Sequence, residues 1–286
     1  MSRASAASSL VRLGRGKLLG EVALVTGGAG ILGNAICRKF AREGASLLIV
    51  DLDASGAKRV ADDINAELGE GTCRVAVEDV TTTKGCKAAV GKALSSFGKL
   101  SVLCNNAGAM HSMDLDVEHT TEAVWDQTLA INLKSAFLCS KYAVPALRKS
   151  GGGAIVNVSS FHGLLGSALP NVAYTASKGA INSLTRELAV SHARENIRCN
   201  AVCPGQMNTH LLEKIVAHDP QDLARRVDSI PMGRFAEPHE VASVATFLSS
   251  KEASYVTGAV IAVDGGAENA YICPTRSVDP FGGPPQ

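Results

Sequence analysis

Short apolar runs alternate with amphipathic helical stretches along almost the whole chain, and this alternation limits the fold more than any other feature. The apolar runs fall near residues 21–26, 46–51, 73–77, 101–105, 153–159, 197–203 and 259–264. Helical periodicity occupies 31–43, 55–68, 83–97, 122–149, 173–195 and 237–249 between them. Continuous apolar runs suit strands buried on both faces, and a helix between successive strands supplies the crossover that parallel pairing requires. The pattern predicts an α/β fold: a doubly wound parallel sheet of about seven strands with helices on both faces. No charged linker, low-complexity insert or internal repeat interrupts residues 20–268, so this span reads as a single domain.

The two ends depart from the rhythm. Residues 1–19 are rich in Ser and Ala, carry Arg3, Arg12, Arg15 and Lys17, and contain no acid. They read as a flexible extension, either a disordered tail or an amphipathic transit peptide. Residues 269–286 end in a Pro- and Gly-rich stretch that cannot continue a helix and is expected to run over the surface or a partner subunit. Charge is almost balanced, with 28 basic against 27 acidic residues and no long run of one sign, which argues against a nucleic-acid partner. No apolar run approaches the roughly 20 residues that cross a bilayer, so no membrane partner is expected. The eight cysteines include no CxxC pair. They read as small core residues in a reducing compartment, with no metal site and no disulfide framework. A soluble, cytoplasmic protein is expected, with the mitochondrial matrix as the alternative if the first segment is a transit peptide.

The stretch Val22–Phe40, VALVTGGAGILGNAICRKF, runs from an apolar strand through a glycine-rich turn into a helical pattern. Such a turn lets the backbone approach a pyrophosphate, whose charge is stabilised by the helix N-terminus. Gly28, Gly30 and Gly33 formally satisfy GxGxxG, a weak signal alone. The context strengthens it, because the second strand ends in Asp51, 23 residues beyond Gly28, close to the spacing of the acid that binds an adenosine ribose. The predicted sheet is therefore of Rossmann type. A carboxylate at Asp51 accepts hydrogen bonds from two ribose hydroxyls and repels a 2′-phosphate, and Leu52 offers no cation to offset the repulsion. NAD is expected in preference to NADP. Capping of the helix near Ser55 is the competing role for Asp51, although Asp53 is better placed for it. Asp79, closing the third strand, could meet the adenine amino group or simply brace a turn. Asn105, Asn106, Ala107 and Gly108 close the fourth strand with amide groups and room for a ring or ribose.

Tyr174 and Lys178 lie four residues apart at the start of a helix, so their side chains project from one face. A free phenol has a pKa of ~10, and a neighbouring ammonium and a cationic nicotinamide would both stabilise its phenolate, bringing Tyr174 toward neutrality as an acid/base. Alone, YxxxK is common on amphipathic helices. In combination, Thr26-Gly27 with Gly33, Asp51, Asp79, NNAG at 105–108, Asn132, Ser160, Tyr174, Lys178, Pro204-Gly205 and VTGAVIAVDGG at 256–266 occur in one order. Taken together they resemble the classical short-chain dehydrogenase/reductase family over residues 20–268.

The resemblance implies a catalytic tetrad in which Tyr174 is the acid/base, Ser160 positions and polarises the substrate oxygen, Lys178 lowers the Tyr174 pKa and holds the nicotinamide ribose, and Asn132 anchors a water chain. Ser160 is preferred to Ser159 because it stands nearer the family spacing to Tyr174. Cofactor contacts are implied at Gly27, Gly30, Ile31, Leu32, Gly33, Asp51, Asp79, Val80, Asn106, Ala107, Gly108, Tyr174, Lys178, Pro204, Gly205 and Thr209. Against the family pattern TGxxxGxG, the middle glycine is replaced by Ile31. Gly30 is expected to absorb any unusual dihedral of the turn, and Ile31 to crowd the adenosine side and weaken NAD binding. His162 and Cys203 read as pocket lining or core, and Arg225 and Arg226 as solvated.

The implied reaction is hydride transfer between the nicotinamide and a secondary alcohol or ketone. Met110, His111, Phe161, His162, Leu164, Met207, His210, Leu211 and Leu212 would contribute a mixed, fairly apolar substrate lining, and the weakly patterned 206–230 a mobile lid over bound cofactor. A homotetramer is implied as well. The competing activities are an NADPH-dependent ketoreductase, including one acting on 3-oxoacyl carrier-protein substrates, and a catalytically silent dinucleotide-binding scaffold; the intact tetrad speaks against the scaffold.

Overall fold

The computed structural model describes residues 16–167, 169–208 and 220–270. Seven strands form one parallel sheet in the order β3-β2-β1-β4-β5-β6-β7: β1 Val22–Thr26, β2 Ser46–Asp51, β3 Cys73–Val77, β4 Val102–Asn105, β5 Gly153–Val158, β6 Ile197–Pro204 and β7 Val260–Val263. The chain winds outward from β1 through β2 and β3, then returns to the middle and winds the other way from β4. The reversal between β1 and β4 opens a crevice at their carboxyl ends, where a doubly wound sheet binds its ligand.

Strand side chains alternate between two cores. Ala23, Val25, Leu47 and Ile49 enter the core shared with α1 (Ile31–Arg42), α2 (Ala54–Leu68) and α8 (Pro238–Ser249). Leu24, Leu48 and Val50 enter the opposite core, under α3 (Thr83–Phe97), α5 (Ser135–Lys149) and α6 (Val172–His192). This period-two division explains the unbroken apolar runs of the central strands, whose two faces are both covered; the edge strand β3 leaves Arg74 and Val77 exposed. The seven cysteines among the described residues are free and buried; Cys273 lies outside them. Leu18, just ahead of the predicted domain, is fully buried against the core containing Phe40.

Helix starts follow their local sequence. Asp53 accepts from Gly56 N at 3.0 Å to cap α2, and Thr82 accepts from Gly85 N at 3.1 Å to cap α3. Gly30, ahead of α1, offers no side-chain cap, so the first-turn N–H groups of α1 remain available to a ligand.

Two expectations are corrected. The helix predicted over 122–149 is divided into α4 (Glu122–Leu129) and α5 by a π-turn at Ala130–Lys134. The interruption centres on Asn132, whose side chain bonds twice to the backbone of Ala109. The weakly patterned 206–230 contains a further helix, α7 (Pro220–Asp228). Residues 209–219, on which much of the lid expectation falls, lie outside the described residues, as do 1–15 and 271–286. Among the described residues, no helix is long and apolar enough to cross a membrane.

Candidate active site

A cleft of about 730 Å³ crosses the carboxyl ends of the strands and collects most of the residues singled out from sequence. At one end it is built on the glycine turn. Gly27 has φ +65°, and a Cβ added to it would come within 2.9 Å of Ala107 Cα. A Cβ on Gly33 would overlap the Gly27 carbonyl oxygen and stand 2.8 Å from Asn106 Nδ2. These two glycines are sterically required. Gly30 is not: its φ is −68°, and an added Cβ would meet only the Gly27 oxygen, at 3.4 Å. The unusual dihedral therefore falls on Gly27, correcting the expectation for Gly30. Ile31 opens α1 in ordinary helical geometry, with Ile31 and Leu32 both lining the cleft.

The end of β4 clamps this turn. Asn106 Nδ2 donates to the carbonyls of Thr26 and Gly27 at 2.9 and 3.0 Å, and the Thr26 hydroxyl accepts from the backbone N–H groups of Asn106 and Ala107, both at 3.0 Å. Asn105 turns into the core instead, donating to Asn157 Oδ1 at 2.8 Å and Ser140 Oγ at 3.2 Å. Its amide braces β4 against β5 and is not among the cleft-lining groups.

Asp51 Oδ2 accepts from Ala29 N at 2.9 Å and Oδ1 from Asp53 N at 3.0 Å, while the cap of α2 belongs to Asp53. Asp79 accepts from the Thr81 backbone N–H and hydroxyl at 2.9 and 2.7 Å, a turn-bracing role, and also lines the cleft beside Val80. Asp51, Asp53, Glu78 and Asp79 thus crowd one end. Lys178 is the sole basic residue among the described residues that line the cleft. Pro204 and Gly205 close a further wall, Gly205 leaving no room for a Cβ against Asp264; Thr209 lies outside the described residues.

At the other end, Ser160, Tyr174 and Lys178 meet. Lys178 Nζ donates to Val158 O at 2.9 Å and sits 5.6 Å from the Tyr174 ring centroid. Burial pushes the Lys178 ammonium down to about 8. Burial also raises the Tyr174 phenol above its ordinary value, with a hydrogen bond from Ser160 pulling the other way. The lowered phenol predicted from the sequence rests on Lys178 and a cationic nicotinamide together; with the protein groups alone, desolvation of the phenolate outweighs the Ser160 hydrogen bond. Gly108 makes space for the ammonium, since a Cβ there would stand 3.1 Å from Lys178 Nζ.

The two candidate serines separate by their bonds. Ser159 Oγ donates to the Lys178 carbonyl at 2.9 Å, pinning α6 to β5, whereas Ser160 Oγ accepts from His162 N at 3.2 Å and reaches Tyr174. Asn132 is 2% exposed and stands behind the cleft wall. Its Oδ1 accepts from Ala109 N at 2.8 Å, and its Nδ2 donates to Ala109 O and Ser177 Oγ, both at 3.0 Å. His162 stacks on Phe161 at 4.4 Å and presents its ring edge-on to Tyr174 at 5.8 Å, with burial lowering its pKa. Cys203 is fully buried, which pushes its thiol up. Of the residues expected to line the substrate space, Met110 and Met207 line the cleft, His111, Phe161, His162 and Leu164 are not among its lining residues, and His210, Leu211 and Leu212 lie outside the described residues. Arg225 and Arg226 fall in the last turn of α7.

Sequence reasoning missed Glu78, whose carboxylate lines the cleft beside Asp79, and also Ala29, Ile131 and Val158. Small or aliphatic side chains at element ends carry no chemical signal, and only their position one step from a motif marks them.

Comparison with known proteins extends over nearly all of this architecture. The family model described as enoyl-(acyl carrier protein) reductase matches residues 27–268. A 2,5-dichloro-2,5-cyclohexadiene-1,4-diol dehydrogenase of Sphingobium indicum is 38% identical over 252 residues, covering 87% of this chain and 97% of its own length. A galactitol 2-dehydrogenase (L-tagatose-forming) of Cereibacter sphaeroides is 39% identical, covering 87% of this chain and 96% of its own. The crystal structure of a Burkholderia xenovorans protein assigned to the short-chain dehydrogenases/reductases superposes with a TM-score of 0.84 at 35% identity, covering 89% of this chain and 99% of that one.

Proposed function

The chain belongs to the short-chain dehydrogenase/reductase family and is an oxidoreductase acting on CH–OH groups, and we propose that it interconverts a secondary alcohol and its ketone with NAD(H), using Tyr174 as acid/base. The observation that carries the cofactor preference is the charge of the cleft. Four carboxylates, Asp51, Asp53, Glu78 and Asp79, line one end, and Lys178, the sole lining ammonium among the described residues, lies at the other, beside Tyr174. A 2′-phosphate placed among those carboxylates would meet repulsion that no lining cation at that end offsets among the described residues, whereas ribose hydroxyls would donate to Asp51.

The cradle suits a dinucleotide. Gly27 and Gly33 leave the space that a Cβ would fill, and the uncapped N-terminus of α1 offers N–H groups to a pyrophosphate. In this reading Gly27, Gly30, Ile31, Leu32 and Gly33 hold the pyrophosphate, Asp51 the ribose, Asp79 and Val80 the adenine, and Asn106 to Gly108, Pro204, Gly205 and Lys178 the nicotinamide half. Bound there, the cofactor supplies the hydride acceptor or donor and, when oxidised, a second positive charge.

In the oxidative direction Tyr174 Oη takes the hydroxyl proton of the alcohol; in reduction it returns that proton to the carbonyl oxygen. Ser160 Oγ donates to the same substrate oxygen and fixes its position. Lys178, held by Val158 O, stabilises the phenolate at short range. Asn132 has both side-chain polar atoms engaged, so its side chain holds the wall behind the cleft. The relatives' substrates, a cyclic diol and a polyol, together with Met110 and Met207 in the lining, favour a hydroxylated substrate of medium size. Buried free cysteines support a reducing, cytoplasmic setting, and Phe137 on α5 and Val190 on α6, 46% and 81% exposed, support a homotetramer.

A panel of diols, polyols and secondary alcohols, and their ketones, assayed with both cofactors tests the reading. Turnover with NAD(H) well above that with NADP(H) on at least one pair is expected. A preference for NADP(H) would overturn the cofactor assignment, and inactivity toward every CH–OH substrate would overturn the substrate class.

A further inference from the structure

The loop between β4 and α4 is pinned at two places, both of them parts of the catalytic apparatus. Where it leaves β4, Ala109 exchanges backbone hydrogen bonds with the Asn132 side chain. Farther along, Asp114 is 4% exposed, and its carboxylate accepts from Ala173 N at 3.0 Å and Tyr174 N at 2.7 Å. The next carbonyl, Leu115 O, accepts from Val172 N at 3.0 Å. Val172, Ala173 and Tyr174 are the first three residues of α6, whose N–H groups have no partners within the helix.

The residue expected to cap this helix does something else. Asn171 makes no side-chain cap; its Oδ1 accepts from the Thr175 hydroxyl at 2.6 Å and its amide donates to Leu169 O at 3.1 Å. The N-terminus of the helix that carries Tyr174 and Lys178 is therefore satisfied by a loop about 60 residues away in sequence. A carboxylate suits that place, since it accepts charge-assisted bonds and complements the positive end of the helix. The loop itself is braced: Asp114 N donates to His111 O at 3.0 Å, Met113 N to His111 Nδ1 at 3.0 Å, and Leu115 N to Thr120 Oγ1 at 2.8 Å. Between the anchors, Met110 and Met113 are 54% and 57% exposed, and Met110 lines the cleft.

We propose that Asp114 is a positioning residue for Tyr174, fixing the first turn of α6 against the loop so that the substrate-facing segment 110–113 and the catalytic phenol form one rigid body. The proposal rests on the assignment of Tyr174 as acid/base. Tyr174 occupies the third position of α6, where an uncapped helix frays, and its phenol sits at the end of a side chain whose aim is set by that turn. Loosening the cap disturbs the reacting geometry and leaves the distant dinucleotide cradle intact.

The test uses the full chain as wild type, Asp114→Ala, Asp114→Asn and Tyr174→Phe. Steady-state kcat and KM, NADH affinity by fluorescence titration, and amide hydrogen exchange at 172–174 are measured on each. Asp114→Ala is expected to lower kcat roughly 10- to 100-fold with NADH affinity changed less than about twofold, and to speed exchange at 172–174. Asp114→Asn keeps one acceptor and recovers part of the lost kcat. Wild-type kcat in Asp114→Ala, or a loss that parallels lost NADH binding or lost folded protein, would overturn the proposal. If Asp114→Ala does not fold, the Asn variant decides: faster exchange at 172–174 with unchanged kcat contradicts the positioning role, and reduced kcat with intact NADH binding supports it. Turnover retained in Tyr174→Phe would instead sink the acid/base assignment, and exchange at 172–174 would still report whether Asp114 holds the helix.

Discussion

At the dinucleotide end of the cleft, the carboxylates lie near solvent: Asp53 caps its own helix, Asp79 braces its own turn, and Asp51 reaches back to Ala29, while the Asn106 amide ties the glycine turn to the end of β4. At the reacting end the side chains are buried and their partners are remote. Lys178 bonds to Val158, Asn132 to Ala109, and Asp114 to the start of α6. Charge near solvent acts mainly through which ligand it admits. Charge in the buried end acts on itself, because desolvation drives the Lys178 ammonium down to about 8 and the Tyr174 phenol up. In the proposed reading the first end selects a cofactor, and the second tunes an acid/base pair.

Mutation can break each half separately. The largest effect at the dinucleotide end is expected from Gly33→Ala, whose Cβ would overlap the Gly27 carbonyl. With strain of about 2–4 kcal/mol, NADH affinity should fall roughly 30- to 1000-fold, read by fluorescence titration. Unchanged affinity would show that the turn yields to the added methyl. Next in size, Asp51→Ala combined with Leu52→Arg exchanges a carboxylate for a guanidinium in the cleft wall. An ionic hydrogen bond to phosphate contributes about 1.5–3 kcal/mol, so the NADP/NAD ratio of kcat/KM should rise about 10- to 100-fold with kcat on NAD little altered. The smallest change is Ile31→Gly, which should tighten NADH binding about threefold, or about 0.6 kcal/mol; equal affinities would mean that the exposed Ile31 side chain stands clear of the adenosine.

The same contrast governs what is legible in the amino-acid sequence. The alternation of strands and helices, Asp51, Asp79 and the Tyr174–Lys178 pair can be read there because turns, caps and helical spacing are written in adjacent residues. The π-turn at Asn132 cannot, since it depends on bonds to Ala109, and a helical pattern by itself runs on through 122–149. Nor can the Asp114 cap, because Asn171 stands at the local capping position and its side chain is engaged elsewhere. The raised phenol of Tyr174 escapes as well: spacing brings an ammonium near but does not reveal burial. Gly27 and Gly30 are alike in sequence, and only φ shows that Gly27 carries the left-handed dihedral.

The most direct test of the whole account compares wild type with Tyr174→Phe, which removes one hydroxyl from the reacting end and nothing from the dinucleotide end. With an alcohol substrate found active in the panel, kcat should fall by at least about 100-fold, the lower end of an acid/base contribution, while NADH binds as to wild type. Turnover near the wild-type value would contradict the assignment of Tyr174 as the group that moves the proton.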